Sequence, residues 1–412
     1  MSKINLTPNA SGTGVFTIAS PNSNTNRTLN LPDESGTIVS ENASGDVAVT
    51  GDITSNGNAV ITTQSPQLGR RNLIINGAMQ VAQRGTSSSV GSETFMADRF
   101  RAQLEGLGAF TLSQDTNAPD GFNFSSKLTC NTADASPAAS DLLIAGFRFE
   151  GQDLQHLQYG TASAKKVTVS FWVKSNKTGT FVCSLLNILS SPLRKIVKSY
   201  TIDSADTWEY KTITIDGDTA YSISNSSNRT IDLTWWLGGG SNYSGTSTPS
   251  GWADNENAVT LTNQTVNLAD APNNYWQITG VQLEVGDVAT PFEHRSYGEE
   301  VALCQRYFAK YSSVTGEVSA FSASSFAWVS GLSYIPFTLT TRMRAIPTLT
   351  TSGANAVRTY APGTSYVQSS ISMSSSGASV GANTIELETS GTSVTGWVRH
   401  EGQTWLAFDS EL

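Results

Sequence analysis

Charge is what this chain of 412 residues has least of. Asp, Glu, Lys and Arg together make up 14%, against roughly a quarter of an average soluble protein. Ser, Thr and Asn take their place, so the surface holds water through hydroxyls and amides. The net charge of −9, with no basic run longer than Arg70-Arg71 or Lys165-Lys166, excludes a phosphate-binding face and with it nucleic acid as a partner. No stretch approaches the roughly 18 apolar residues of a membrane span. The start, Met1-Ser2-Lys3-Ile4-Asn5-Leu6-Thr7-Pro8, lacks the apolar core of a signal peptide. These absences predict synthesis in a cytoplasm, no membrane insertion, and release by another route such as lysis. The three cysteines, Cys130, Cys183 and Cys304, form no C-x-x-C and read as buried reduced thiols.

Catalytic motifs are missing too. There is no HExxH, no G-x-S-x-G and no P-loop, and His156, His294 and His400 stand alone without metal-ligand spacing. The enzymatic option is a carboxylate pair for glycoside cleavage, which needs two acids about 5–10 Å apart. Asp141, Glu150 and Asp153 are close in sequence, but spacing along a strand does not fix facing geometry. The long repeats of a parallel β-helix are absent. The chain therefore reads as a non-enzyme without cofactor. A calcium site at Asp254-Asn255-Glu256-Asn257 is conceivable, although no loop spacing supports it.

What is present is β-patterning. Residues 1–70 hold short alternating runs such as Gly14-Val15-Phe16-Thr17-Ile18 and Gly36-Thr37-Ile38-Val39, each ended by turn residues. Such strands bury no core within one chain, so the segment is expected to order by association of identical copies. Ser65-Pro66-Gln67-Leu68-Gly69 marks a boundary. Beyond it, Val167–Lys174, Tyr210–Ile215, Ile231–Leu237 and Trp276–Leu283 alternate with period two, predicting an all-β fold: an antiparallel jelly-roll sandwich over 71–295. A short linking helix is predicted over 296–308, with Ser296 as cap and Val301, Cys304 and Phe308 on one stripe. A C-terminal β-sandwich follows over 309–412, with strands at Gly331–Phe337, Thr341–Thr348 and Gln403–Asp409 and a Ser/Gly-rich loop or loosely specified edge from Ser369 to Gly381.

Two segments carry more than a fold class. Arg71-Asn72-Leu73-Ile74-Ile75-Asn76-Gly77-Ala78-Met79-Gln80 with Ala97-Asp98-Arg99-Phe100, and Asn274-Tyr275-Trp276-Gln277-Ile278-Thr279-Gly280-Val281-Gln282-Leu283-Glu284, look like the opening and closing strands of one domain. They resemble the central domain of many bacteriophage tail-fibre and receptor-binding proteins, a sandwich related to carbohydrate-binding modules. Thr28-Leu29-Asn30-Leu31-Pro32-Asp33 and Ser35-Gly36-Thr37-Ile38-Val39 also resemble the N-terminal segments of such fibres, which form a trimeric shaft or virion anchor. The resemblance implies a homotrimer in the virion tail fibre. It would join a tail, baseplate or adaptor protein through residues 1–70 and bind host-surface polysaccharide through its distal β-domains. Competing readings are a tail-borne polysaccharide hydrolase and a decoration protein without receptor role.

Sugar rings stack on Trp and Tyr while amides and carboxylates read hydroxyls. Trp172, Trp235 and Trp276 lie in strand patterns and read as core. Trp236 faces opposite Trp235, and Tyr243 and Trp252 occupy loop sequences, so Tyr243, Trp252 and Trp236 are the ligand-binding candidates. Trp252 has the alternative of folding back as a lid. Trp328, Tyr334, Tyr360, Trp397 and Trp405 are similar candidates in the last domain. An N-terminal anchor presents 309–412 to the cell first, so the primary contact is expected there and a secondary one in the sandwich.

Overall fold

The computed structural model describes residues 54–55, 58–59, 70–245, 250–254, 260–312, 322–329, 332–352, 357–361, 364–367, 370–373, 384–390, 396–400 and 405–412, and of 322–334, 357–371, 384–386, 388, 390 and 396–400 the backbone alone. The chain divides between Ser65 and Pro66 into two units. In the first, β1 (Thr54–Ser55) and β2 (Asn58–Ala59) pair antiparallel. The remaining runs expected to form the shaft, and residues 255–257 of the conceivable calcium loop, lie outside the described residues.

The second unit is built on two antiparallel sheets. Its strands are β3 (Ser87–Ser89), β4 (Thr94–Phe95), β5 (Arg101–Glu105), β6 (Ala109–Asp115), β7 (Ser125–Thr132), β8 (Leu142–Glu150) and β9 (Val167–Ser175). They continue as β10 (Gly179–Asn187), β11 (Arg194–Ile202), β12 (Glu209–Ile215), β13 (Arg229–Gly239), β14 (Ala253–Asp254) and β15 (Tyr275–Val285). One sheet runs β14-β11-β10-β13-β8-β5-β4, the other β12-β9-β15-β7-β6-β3. Their inner faces meet in one core, where Trp235, Trp276, Phe171, Phe181 and Phe110 are buried. The period-two pattern of β9 explains its share: Val167, Val169, Phe171 and Val173 point in, and the residues between them point out.

Segment 71–80 differs from the expected opening strand. It is an irregular segment with bends at 75–76 and a turn at 77–78, because β7 pairs with β15 only as far as Ile278 and leaves the rest of that edge open. Asn72 fills it. Its Nδ2 donates to Val281 O at 3.0 Å, and its Oδ1 accepts from the N–H of Leu283 at 3.1 Å and of Ile74 at 2.9 Å. Leu73 N donates to Leu283 O and Val281 N to Gly77 O. Gly77 is required by this approach, since a Cβ there would stand 2.1 Å from Val281 O. Asn76, at φ 60°, ties the same segment to Val81 and Asp98.

α1 (Tyr297–Gln305) begins as expected, with Ser296 Oγ accepting from Glu299 N. It ends sooner than the predicted stripe requires. Cys304 is buried and Val301 only half-buried, while Phe308 opens strand β16 (Phe308–Ser312) and is buried there. Glu300 serves the clasp as well as the helix start, because its Oε1 accepts from Asn76 N and from Arg295. The later strands are β17 (Ser322–Val329), β18 (Leu332–Thr338), β19 (Thr348–Thr351), β20 (Val357–Ala361), β21 (Thr364–Val367), β22 (Ser370–Met373), β23 (Thr384–Ser390), β24 (Gly396–His400) and β25 (Trp405–Asp409). They form a sheet β16-β25-β19 and a second one, β21-β20-β24-β17-β18-β23-β22. Residues 341–347, expected within a strand, form no strand, whereas Ser370–Met373, in the stretch expected as a loop or loosely specified edge, is an edge strand paired with β23. Ile335, Phe337, Leu339, Leu387, Leu406 and Phe408 share a separate small core.

Arginines fasten this part to the sandwich. Arg84 lies 3.7 Å from the Phe308 ring centroid and pairs with Asp409 at 3.1 Å, Arg99 pairs with Glu411, and Arg306 grips Glu150 through two bonds of 2.8 and 2.6 Å. Asp98 sits in the same seam. Burial pushes its carboxyl up to about 7, against the pull of Arg84 and Gln83.

Two outcomes follow from these contacts. Asn72→Ala strands buried backbone groups and is expected to destabilise the protein by about 3–5 kcal/mol in urea unfolding. Asn72→Asp should not rescue it, because a carboxylate oxygen then faces Val281 O in a buried site. An acid with a raised folded pKa holds more protons folded than unfolded. Between about pH 4 and 7, Asp98 therefore lowers stability as pH rises, by at most about 1.4 kcal/mol per unit, and adds no slope above that window. Asp98→Asn should remove that part of the slope in denaturant titrations; an unchanged slope assigns it to other groups.

Candidate functional site

The three aromatic candidates do not converge. Trp236, at 9% exposure, lies on the outer side of the seven-stranded sheet with Leu142, Ile144, Val182, Val197 and Leu261. Tyr243 folds over it, ring centroids 5.1 Å apart, and its hydroxyl donates to Ser140 O. Leu261 N in turn donates to Tyr243 O, so the loop closes its own apolar patch. Trp252 takes the lid alternative. It is half-buried against the main core, meets Tyr159 edge-on at 5.8 Å, and its Nε1 donates to Asp216 O at 2.6 Å. In the last domain, Trp405 is half-buried with Lys310 4.9 Å from its ring centroid. The side chains of Trp328, Tyr334, Tyr360 and Trp397 lie outside the described residues.

The carboxylates separate as well. Asp141 precedes and Glu150 ends the nine-residue β8, roughly 30 Å apart at 3.3 Å per residue, far beyond the reach of one glycosidic bond. Asp141 accepts from Ala138 N, and Glu150 is fully buried under Arg306. Asp153, three positions on and close enough to feel the Glu150 charge, borders a cavity of about 330 Å³ shared with Arg70, Asn72 and His156. Its carboxyl is held above the usual range by its surroundings and by Glu150. Among the described residues, no cluster of three or more His, Cys, Asp or Glu is placed to hold a metal ion.

The best-developed aromatic surface is one that the sequence reading assigned to the core. Trp172 points outward from β9 and is half-buried, whereas Trp235 and Trp276 are fully buried as expected. On the outer side of the six-stranded sheet, Trp172 pairs across the strands with Tyr210, 43% exposed, at 5.3 Å between centroids. Beside them β15 carries a bulge between Thr279 and Gln282. Gly280 occupies it at φ +60°, and a Cβ there would stand 2.7 Å from Phe122 Cζ and 3.1 Å from Trp172 Cδ1. Phe122 then contacts Phe292 at 5.0 Å and His294 at 5.3 Å. Around this row the sheet is polar. Asn117 Oδ1 accepts from Lys174 Nζ at 3.1 Å and Trp208 Nε1 at 3.0 Å, while Gln277 and Thr279 on β15 are buried beneath and donate to Ser125 and Phe124. The signal was legible: the alternation that sends Val167, Val169, Phe171 and Val173 inward sends Trp172 outward.

No known family and no curated protein matches the chain. Solved structures do, each over about half of it. The enzymatically active domain of tailspike protein 4 of bacteriophage CBA120 is 10% identical, covering 52% of this chain and 21% of that one, TM-score 0.28. The C-terminal family 22 carbohydrate-binding module of Clostridium thermocellum Xyn10B is 11% identical, covering 53% and 97%, TM-score 0.27. The family 11 module of a cellulosomal cellulase from the same organism is 11% identical, covering 51% and 89%, TM-score 0.21. This chain thus spans about a fifth of the tailspike domain.

Truncation separates the two kinds of tryptophan. Trp235→Ala empties a packed site and is expected to cost about 3–5 kcal/mol. Trp172→Ala loses a cross-strand pair, about 1 kcal/mol at most. Equal losses in thermal unfolding would return Trp172 to the core.

Proposed function

We propose that the chain is a phage tail-fibre protein that joins the virion through its N-terminal segment and binds host-surface glycan through its β-domains. The observation that carries the glycan part is the row of aromatic rings on the water-facing side of a polar sheet, where core packing has no use for them. Sugar rings offer apolar C–H faces to such rings and hydroxyls to the amides and hydroxyls around them. The virion part rests on the sequence resemblance of residues 28–39 and 71–100. Association as a trimer supplies the partner surface that short strands lack. Residues 309–412, furthest along the chain from the anchor, would meet the cell first.

A tail-borne hydrolase is the second reading, favoured by one observation: Asp153, with its raised carboxyl, borders an open cavity. Conversion of host polysaccharide into shorter oligomers by the purified protein decides for it, and Asp153→Asn should then abolish turnover.

The fibre reading makes its own demands. Light scattering of the full chain should give three times the mass of one chain, and gold-labelled antibody should mark the tails of intact particles in electron micrographs. Free protein should bind host cells weakly and whole particles strongly, since many weak sites on one particle multiply. A monomer that marks no part of the virion sinks the proposal.

A further inference from the structure

Resting on the glycan-binding reading, we propose that an uncharged polysaccharide strand lies across the outer side of the six-stranded sheet, with sugar rings on Trp172 and Tyr210 and on Phe122. The site is bound along the middle of a chain and not at its end.

Three features of the face lead there. The rings form a continuous row instead of one isolated platform. Tyr210 meets Trp172, Trp172 and Phe122 both stand over Gly280, and Phe122 meets Phe292 and His294. A single terminal sugar fills one platform, whereas consecutive platforms reward consecutive rings. Secondly, Gly280 is what lets the row be continuous, because any side chain there would separate Phe122 from Trp172. It acts as a positioning residue, and the bulge around it supplies the needed φ.

The third feature is charge. Lys127 pairs with Asp115 at 3.4 Å, Asp206 accepts from the Tyr275 hydroxyl, and Lys174 donates to the neutral Asn117. Two cations therefore face three anions, since Glu284 stands opposite Thr168 on β15 and accepts from Thr290, and the outward hydroxyls of Thr168, Thr212 and Thr214 add no charge. An acidic polymer would lose near the aspartates what it gains near the lysines. It would also meet a chain of net charge −9. A neutral polymer incurs neither cost, and Asn117, Lys174 and Trp208 can exchange their mutual hydrogen bonds for sugar hydroxyls.

The test is an array of purified bacterial surface polysaccharides, some with neutral repeats and some with uronate- or sialate-bearing repeats, probed with the full-length protein. We expect binding to neutral repeats, weakened at least tenfold by both Trp172→Ala and Tyr210→Ala while melting stays within a few degrees of wild type. Tyr210 is exposed, so its truncation keeps the test valid should Trp172→Ala unfold. A tetrasaccharide cut from the bound polymer should compete at least tenfold better than its monosaccharide. Binding to acidic repeats alone, or equal competition by the monosaccharide, overturns the inference and leaves glycan binding standing. Binding untouched by either variant places the glycan elsewhere and reduces the aromatic pair to a sheet contact. Binding to no polysaccharide on the array overturns both.

Discussion

The structure depends on a buried amide. Asn72 stands where the last strand of the sandwich runs out of neighbours, and its amide supplies a donor to Val281 O and an acceptor to Leu283 N. The backbone of Leu73 and Gly77 supplies the rest of what a missing strand would have supplied. Buried backbone groups without partners cost about 1–3 kcal/mol each, so the edge of β15 beyond Ile278 could not lie inside the protein without it. The same edge carries the bulge at Gly280. One side of that irregularity receives the segment 72–77, and the other receives Trp172 and Phe122. Closure of the fold and display of the aromatic row are thus two sides of one break in strand pairing.

How far this was legible in the sequence depends on the range of the interaction. The strands of the sandwich and the start of α1 follow from local alternation and a serine cap, and they stand where the pattern puts them. Segment 71–80 reads as a strand by its apolar run, but its conformation is set by Val281 and Leu283, about two hundred positions away, and no local rule contains them. Tyr243 reads as exposed because its loop is rich in glycine and serine; it is half-buried because Trp236 needed a cover. Trp172 is the instructive case. The alternation of β9 already placed it outside, and only the habit of counting a strand tryptophan as core concealed it.

The seam between the sandwich and the C-terminal strands uses different chemistry from either core. Arg84, Arg99 and Arg306 lay planar guanidinium groups on Phe308 and Tyr307 or grip Glu150, Asp409 and Glu411, and Arg344 donates to the carbonyls of Ser410 and Glu411. Guanidinium groups stack and form paired hydrogen bonds at once, which suits a joint that is partly wet. A chain otherwise poor in charge concentrates it here.

The Asn72 clasp also has a mechanical meaning. Arg71 N and Asn72 N both donate to Glu293, and Arg295 reaches back to the carbonyls of Asn72 and Ile74. The chain therefore enters and leaves the sandwich at one point. A pull applied at residue 71 and resisted at residue 295 would pass through these few hydrogen bonds and bypass both sheets. The sandwich, some two hundred residues of packed strand, would hang from the load path as a side lobe, free of strain while the clasp holds.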